Sequence, residues 1–174
     1  SMIENSYAYM EEIEPNYFVV GNNNKNGIID LSGKVLLSCE YDWVEPIIHE
    51  SNSLITIKDG KKGLVSTTGS VIIENLYSDI KALTEKYEDG YIVKNDQGKV
   101  GVIGTNKKVI LPLEYDEIKN VTSDSTYIVK KNGKWKILNA QTNEENDFNY
   151  DDATQIINGY ITVKSNGKYG IITT

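Results

Sequence analysis

Residues 101–118 read GVIGTNKKVILPLEYDEI. A glycine, two branched apolar residues, a polar turn, a second apolar run and a Tyr-Asp pair follow one another. This is the pattern of short β-strands joined by tight turns. The phrase recurs along the chain. Gly27, Gly63, Gly101, Lys136 and Gly170 each precede an apolar pair, and they are separated by 36, 38, 35 and 34 residues. Tyr41, Tyr77, Tyr115 and Tyr150 each lie 14 residues after one of these anchors. Self-similarity at a period in the thirties marks a repeat architecture.

Each unit opens with strand formers: Tyr17–Val20, Leu54–Ile57, Tyr91–Val93, Tyr127–Val129 and Tyr160–Val163. Asp59-Gly60, Asn132-Gly133 and Asn166-Gly167 follow in three copies, and such dipeptides supply the positive φ that two-residue hairpins need. The anchor strand comes next, then a second turn such as Ser32-Gly33 or Thr68-Gly69. A third apolar strand follows, as in Val35–Leu37, Val71–Ile73 and Val109–Leu111, and the Tyr-Asp segment closes the unit as a short fourth strand. In the fourth unit Asn143–Asp147 replaces the apolar third strand, which predicts an irregular edge. No segment has a sustained helical period.

The expected fold is therefore all-β, with about five repeats of three to four short antiparallel strands. Units fall at about 17–52, 53–89, 90–125, 126–158 and 159–174 within a single domain spanning 1–174. Residues 159–174 hold half a unit. The segment Met10-Glu11-Glu12-Ile13 is similar to Tyr115-Asp116-Glu117-Ile118, the end of one. Pairing of residues 2–16 with the C-terminal half would give a composite repeat and a closed propeller-like ring that hides its free edges. An open spiral of β-hairpins is the alternative.

The net charge of −7 and the pI of about 4.8, with lysines dispersed among acids, exclude the basic footprint of a nucleic-acid binder. They suit a basic protein partner. Twelve tyrosines against two Phe and two Trp fit half-buried sheet surfaces. Cys39 is the single cysteine, so no disulfide framework or multi-cysteine metal site is available. No apolar run is long enough to insert in a membrane as a helix. Ser1 before Met2 reads as a tag scar. The expected location is cytoplasmic if Met2 is the native start, and envelope or secreted if a signal peptide has been trimmed.

The pairing of Gly98-Lys99-Val100-Gly101-Val102-Ile103 with Ile110-Leu111-Pro112-Leu113-Glu114-Tyr115-Asp116 resembles the bacterial WG-repeat family, also called KWG repeats. The resemblance runs from about Tyr17 onward. Where that family favours Trp before the anchor glycine, this chain has Asn26, Lys62, Val100, Trp135 and Tyr169. The resemblance implies a β-repeat architecture with an interaction role, and it brings no catalytic residue and no cofactor.

Few residues offer chemistry. His49 stands beside Glu50 in a variable loop, and a Cys39/His49 nucleophile pair is opposed by Cys39 aligning with Asn75, Leu113 and Phe148. The chain is expected not to be an enzyme. The repeated Tyr-Asp carboxylates could line a calcium site, but recurrence in every unit favours a structural task in which Asp closes a turn and Tyr packs. No metal is expected. Trp43 differs: its counterparts are Asp79, Glu117 and Asp152, so it is expected to face solvent as a binding anchor. Trp43, Glu45, His49, Glu50 and Tyr87 are the candidate binding residues, on the side of the variable loops Pro46–Ser53 and Ala82–Gly90. The expected function is a non-catalytic protein-interaction module. An immunity protein that neutralises a bacterial toxin, or an envelope module that binds glycan or peptide, are the alternatives.

Overall fold

The structure, a computed structural model, describes residues 7–48, 52–84, 90–120, 126–140, 149–155 and 160–173. Every regular element among them is a β-strand. The chain divides into two compact units, Ser1–Tyr87 and Glu88–Thr174.

In the first unit, β1 (Tyr9–Glu14), β2 (Tyr17–Asn22), β3 (Lys25–Asp30) and β4 (Val35–Tyr41) form an antiparallel meander in chain order. A second meander holds β5 (Trp43–Pro46), β6 (Ser53–Lys58), β7 (Lys61–Ser66) and β8 (Val71–Tyr77). The next strand is β9 (Asp79–Ala82), and in the second unit β10 (Tyr91–Lys94), β11 (Val100–Ile103) and β12 (Val109–Tyr115) pair antiparallel in chain order. The second unit continues with β13 (Glu117–Asn120), β14 (Thr126–Lys131) and β15 (Lys134–Asn139). Its last sheet is β16 (Asp152–Gln155), β17 (Tyr160–Ser165) and β18 (Lys168–Thr173).

Two-residue turns set the hairpin registers. Asp59 and Gly60, Asn132 and Gly133, and Asn166 and Gly167 all have positive φ, as the sequence predicts. Asn23 and Asn24, with φ of 50° and 60°, make the corresponding turn in the first sheet. That pair was not recognised from sequence. Asparagine tolerates the left-handed region better than most residues, and here it does so twice in succession.

The anchor glycines have a steric cause. In β3 and β4 the pairs Asn26↔Tyr41 and Ile28↔Leu37 enclose one residue on β3 and three on β4. The bulge drives the β4 backbone against Gly27, where a Cβ would lie 2.4 Å from the Leu37 carbonyl oxygen. The same bulge recurs at Gly63 and Gly101, whose Cβ atoms would meet the carbonyl oxygens of Ile73 and Leu111 at 2.8 and 2.7 Å. In the fourth sheet no third strand stands beside β15 among the described residues. A single bridge, Trp135↔Tyr150, remains, and Lys136 occupies the anchor position.

Strand alternation places the apolar faces inward. In the first unit Val19, Ile28, Leu37, Tyr41, Val44, Leu54 and Val65 make one core cluster. In the second, Ile128, Trp135, Ala153, Ile161 and Val163 make another. Each large aliphatic side chain so buried contributes about 1.5–3 kcal/mol.

One expectation is corrected. The Tyr-Asp segment does not close its own sheet. The strand ends at the tyrosine, and the residues after the aspartate open the next sheet, as Tyr41 ends β4 and Trp43 begins β5. Among the described residues β1 pairs with β2, β16–β18 form a three-stranded sheet, and no sheet is closed on itself. β1 is two residues from β2, so its hairpin partner is found at once, without closing a long loop.

Candidate functional site

The Tyr-Asp motif forms a clasp between successive sheets. Asp42 takes an ion pair from Lys25 on one oxygen, and its Oδ2 accepts the Asp59 N–H at 2.9 Å. Its backbone N–H donates to the Ile57 carbonyl at 2.7 Å. One residue thus joins the first hairpin turn to the second. Asp151 repeats the arrangement with Lys134, the Asn166 N–H at 2.9 Å and the Lys164 carbonyl at 2.7 Å. Asp116 pairs with Lys99 and donates its N–H to Lys130 at 2.8 Å.

The lysine side-chain hydrogen bond holds each of these three carboxyls below the usual aspartate range, and backbone N–H donors act in the same direction. Ser78 stands at the aspartate position of the second sheet. There Asp79, one residue later, pairs with Lys62 at 2.7 Å. For Asp79 burial pushes the carboxyl up, and the Lys62 hydrogen bond and charge outweigh it, so the net shift is downward.

These aspartates close a turn on backbone N–H groups as expected, that of the following hairpin, and Asp30 closes the turn after β3. Its Oδ1 accepts the N–H groups of Ser32 and Lys34 at 2.9 and 3.0 Å. Tyr41 and Tyr115 are buried as expected, at 6% and 7% exposure. Among the described residues no group of three or more His, Cys, Asp or Glu side chains could hold a metal ion.

The register exposes a break in the repeat. Trp43 lies opposite Ile57, Glu117 opposite Lys130, and Asp152 opposite Lys164, each one residue before the strand's hairpin-closing position. In the first sheet that place belongs to Tyr9, opposite Gly21. Two residues on, Glu11 follows Tyr9 and Glu45 follows Trp43, whereas Lys81 follows Asp79 and Lys119 follows Glu117. Strands β1 and β5 therefore begin aromatic-x-Glu where β9 and β13 begin acid-x-Lys. The Tyr9 hydroxyl donates to Glu11, and the Trp43 Nε1–H donates to Glu45 at 3.0 Å. The Glu11 carboxylate raises the Tyr9 phenol above its ordinary value.

Tyr9 and Trp43 are half exposed, at 47% and 51%, and both line a hollow of about 450 Å³. Gly21, Asn24, Asn26 and Asp42 also line it. Gly21 stands where other sheets carry Ile57, Lys130 and Lys164, and a Cβ there would meet the Tyr9 side chain at 3.2 Å. A smaller hollow of about 180 Å³ shares Tyr9, Asn26 and Trp43 and adds Glu11 and Glu45.

Of the residues predicted from sequence, Trp43 and Glu45 are therefore brought together on β5. His49, Glu50 and Tyr87 lie outside the described residues. Cys39 is half-buried, its thiol is raised by burial, and its sulfur reaches the Val20 carbonyl at 3.6 Å. That is a packing residue's environment. Tyr9 and Gly21 were missed. Aligning Met10–Ile13 with Tyr115–Ile118 displaces the segment by three residues from its register, in which Tyr9 matches Glu117. The same strand carries a one-residue irregularity between Glu12 and Glu14. Trp135, by contrast, is 4% exposed beneath the Lys119 ammonium, 4.1 Å from the ring centroid.

Fold and junction chemistry together define an all-β repeat protein of small antiparallel sheets. The chain belongs to the WG-containing-repeat family, which matches residues 27–62, 101–135 and 147–169, more than half of its length. None of the curated proteins matches it.

Among solved structures it is similar to a eukaryotic initiation factor, at 11% identity and a TM-score of 0.47 over 99% of this chain and 52% of that one. It is also similar to the WD40 β-propeller domain of Doa1, at 14% identity and a TM-score of 0.35 over 91% and 65%. A third is Hsv2 of Kluyveromyces lactis, at 9% identity and a TM-score of 0.41 over 92% and 57%. The chain spans between about half and two-thirds of the length of these structures.

Proposed function

We propose that this chain is a non-catalytic protein-interaction module that holds a basic protein partner. The observation that carries the reading is Trp43. It is half exposed at a strand start where other sheets place acids, on a chain of net charge −7. Large aromatics in partly desolvated hollows are the usual anchors of protein interfaces, and an acidic surface speeds encounter with a basic partner. Toxin neutralisation by an immunity protein would be one task of this kind. The repeat family and the all-β architecture support an interaction role.

The test is affinity capture by the immobilised full chain from a lysate of the source cells, followed by co-elution of the captured protein with the chain in gel filtration. The expected result is one basic protein that co-elutes at low ionic strength and is lost as salt rises. Co-elution of no protein, or of one whose capture is indifferent to salt, overturns the reading.

A further inference from the structure

The Tyr9–Trp43 junction combines three departures from the repeat in one place. An aromatic replaces the acid on β1 and on β5, a glutamate replaces the lysine two residues later on each, and Gly21, opposite Tyr9 on the wall of the larger hollow, brings no side chain where other sheets carry one. The charges facing the two hollows are Glu11, Glu45 and Asp42 against Lys25 alone. Lys25 is already committed to Asp42. The two glutamates are turned toward the rings by the hydrogen bonds from Tyr9 and Trp43. Ring faces attract cations through their quadrupole, and a flanking carboxylate adds charge without blocking the face.

We infer that this groove is a binding site for a cationic side chain, an arginine or lysine presented by a protein partner and held by Tyr9 and Trp43 with Glu11 and Glu45. The inference rests on the interaction reading above and names its chemistry. Arginine suits it better than lysine, because a planar guanidinium can stack on an indole while its edge donates to a carboxylate.

The two tryptophans provide an internal readout. The full chain has two indole N–H signals: one from Trp43 in the groove, and one from buried Trp135. A tri-arginine peptide is titrated while both are followed by NMR, beside the matching tri-citrulline peptide and a neutral trisaccharide. The expected result is a saturable shift of the Trp43 signal by tri-arginine alone, with Trp135 unmoved. Glu11→Gln and Tyr9→Leu should each weaken binding by about twofold to fivefold, the range of exposed ion pairs and cation–π contacts. Glu74→Gln, on exposed β8 surface, should leave it unchanged.

An equal shift with citrulline or with the sugar overturns the inference. So does a Trp43 signal that stays still, or an equal loss on Glu74→Gln. The outcome separates from that of the broader reading. If the wild-type chain captures a basic partner and Tyr9→Leu/Trp43→Leu captures it equally well, the groove assignment fails and the module stands. If the wild-type chain captures none, the module reading itself fails.

Discussion

Asp42, Asp116 and Asp151 each carry charge that the folded state stabilises, so they tie stability to pH. Their folded pKa values lie below the unfolded value of about 3.9. The contribution is therefore fully present above that value and is lost as pH falls through the depressed folded values. Urea unfolding midpoints should fall between about pH 5 and pH 2, and Asp116→Asn combined with Asp151→Asn should flatten that fall. An unchanged slope in the double variant would remove the clasp from the account of stability. The paired tyrosine acts differently, since Tyr115 is nearly buried. Tyr115→Ala should lower unfolding free energy by about 3–5 kcal/mol, the range for truncating large core aromatics, and chemical denaturation measures it directly. The Tyr half of the motif was legible in sequence because fixed spacing reports packing. The Asp half was legible only as structural. Its lysine partner lies 17 residues upstream in Lys25–Asp42, Lys99–Asp116 and Lys134–Asp151, a separation that only the folded hairpins bring within bonding distance.

The anchor glycine is decided by the element beside it. Where a bulged third strand lies across β11, Gly101 has carbonyl oxygen within 2.7 Å of its missing Cβ. At Gly170 the nearest atom is a flexible Val163 methyl at 3.9 Å, and among the described residues no further strand accompanies β18. Gly101→Ala should therefore cost about 1–3 kcal/mol as an overpacking change, while Gly170→Ala should stay within about 0.5 kcal/mol of wild type. Thermal melts of the two variants side by side check this, and equal losses would refute the bulge explanation. The sequence shows that a glycine recurs but not why, because a bulge is a relation between two strands and leaves no local pattern. Lys136 hinted at the reason, since the glycine is lost in the unit whose third-strand stretch is polar. Strand identities and hairpin turns were readable from alternation and Asn-Gly or Asp-Gly pairs. The Asn23-Asn24 turn carries no glycine and escaped that test.

At the scale of the molecule, the all-β class and the succession of small antiparallel sheets were legible, while the frame was not. Period alone does not say where one sheet stops. The sheets begin after the Tyr-Asp pair, one strand earlier than the opening strands suggest, and this shift moves Trp43 from the tail of one unit to the head of the next. The groove was half legible for the same reason: Trp43 broke a visible pattern, but the likeness of Met10–Ile13 to Tyr115–Ile118 put Tyr9 three residues out of its register. The one-residue hand-over at Asp42 and at Asp116 has a further consequence for folding. With no slack between β4 and β5, or between β12 and β13, a sheet that frays draws on the first strand of its neighbour. Nearest-neighbour coupling of this kind makes adjoining repeats melt together. Inserting a few flexible residues after Asp116 should act like cutting a mechanical linkage, separating one cooperative transition of the second unit into two.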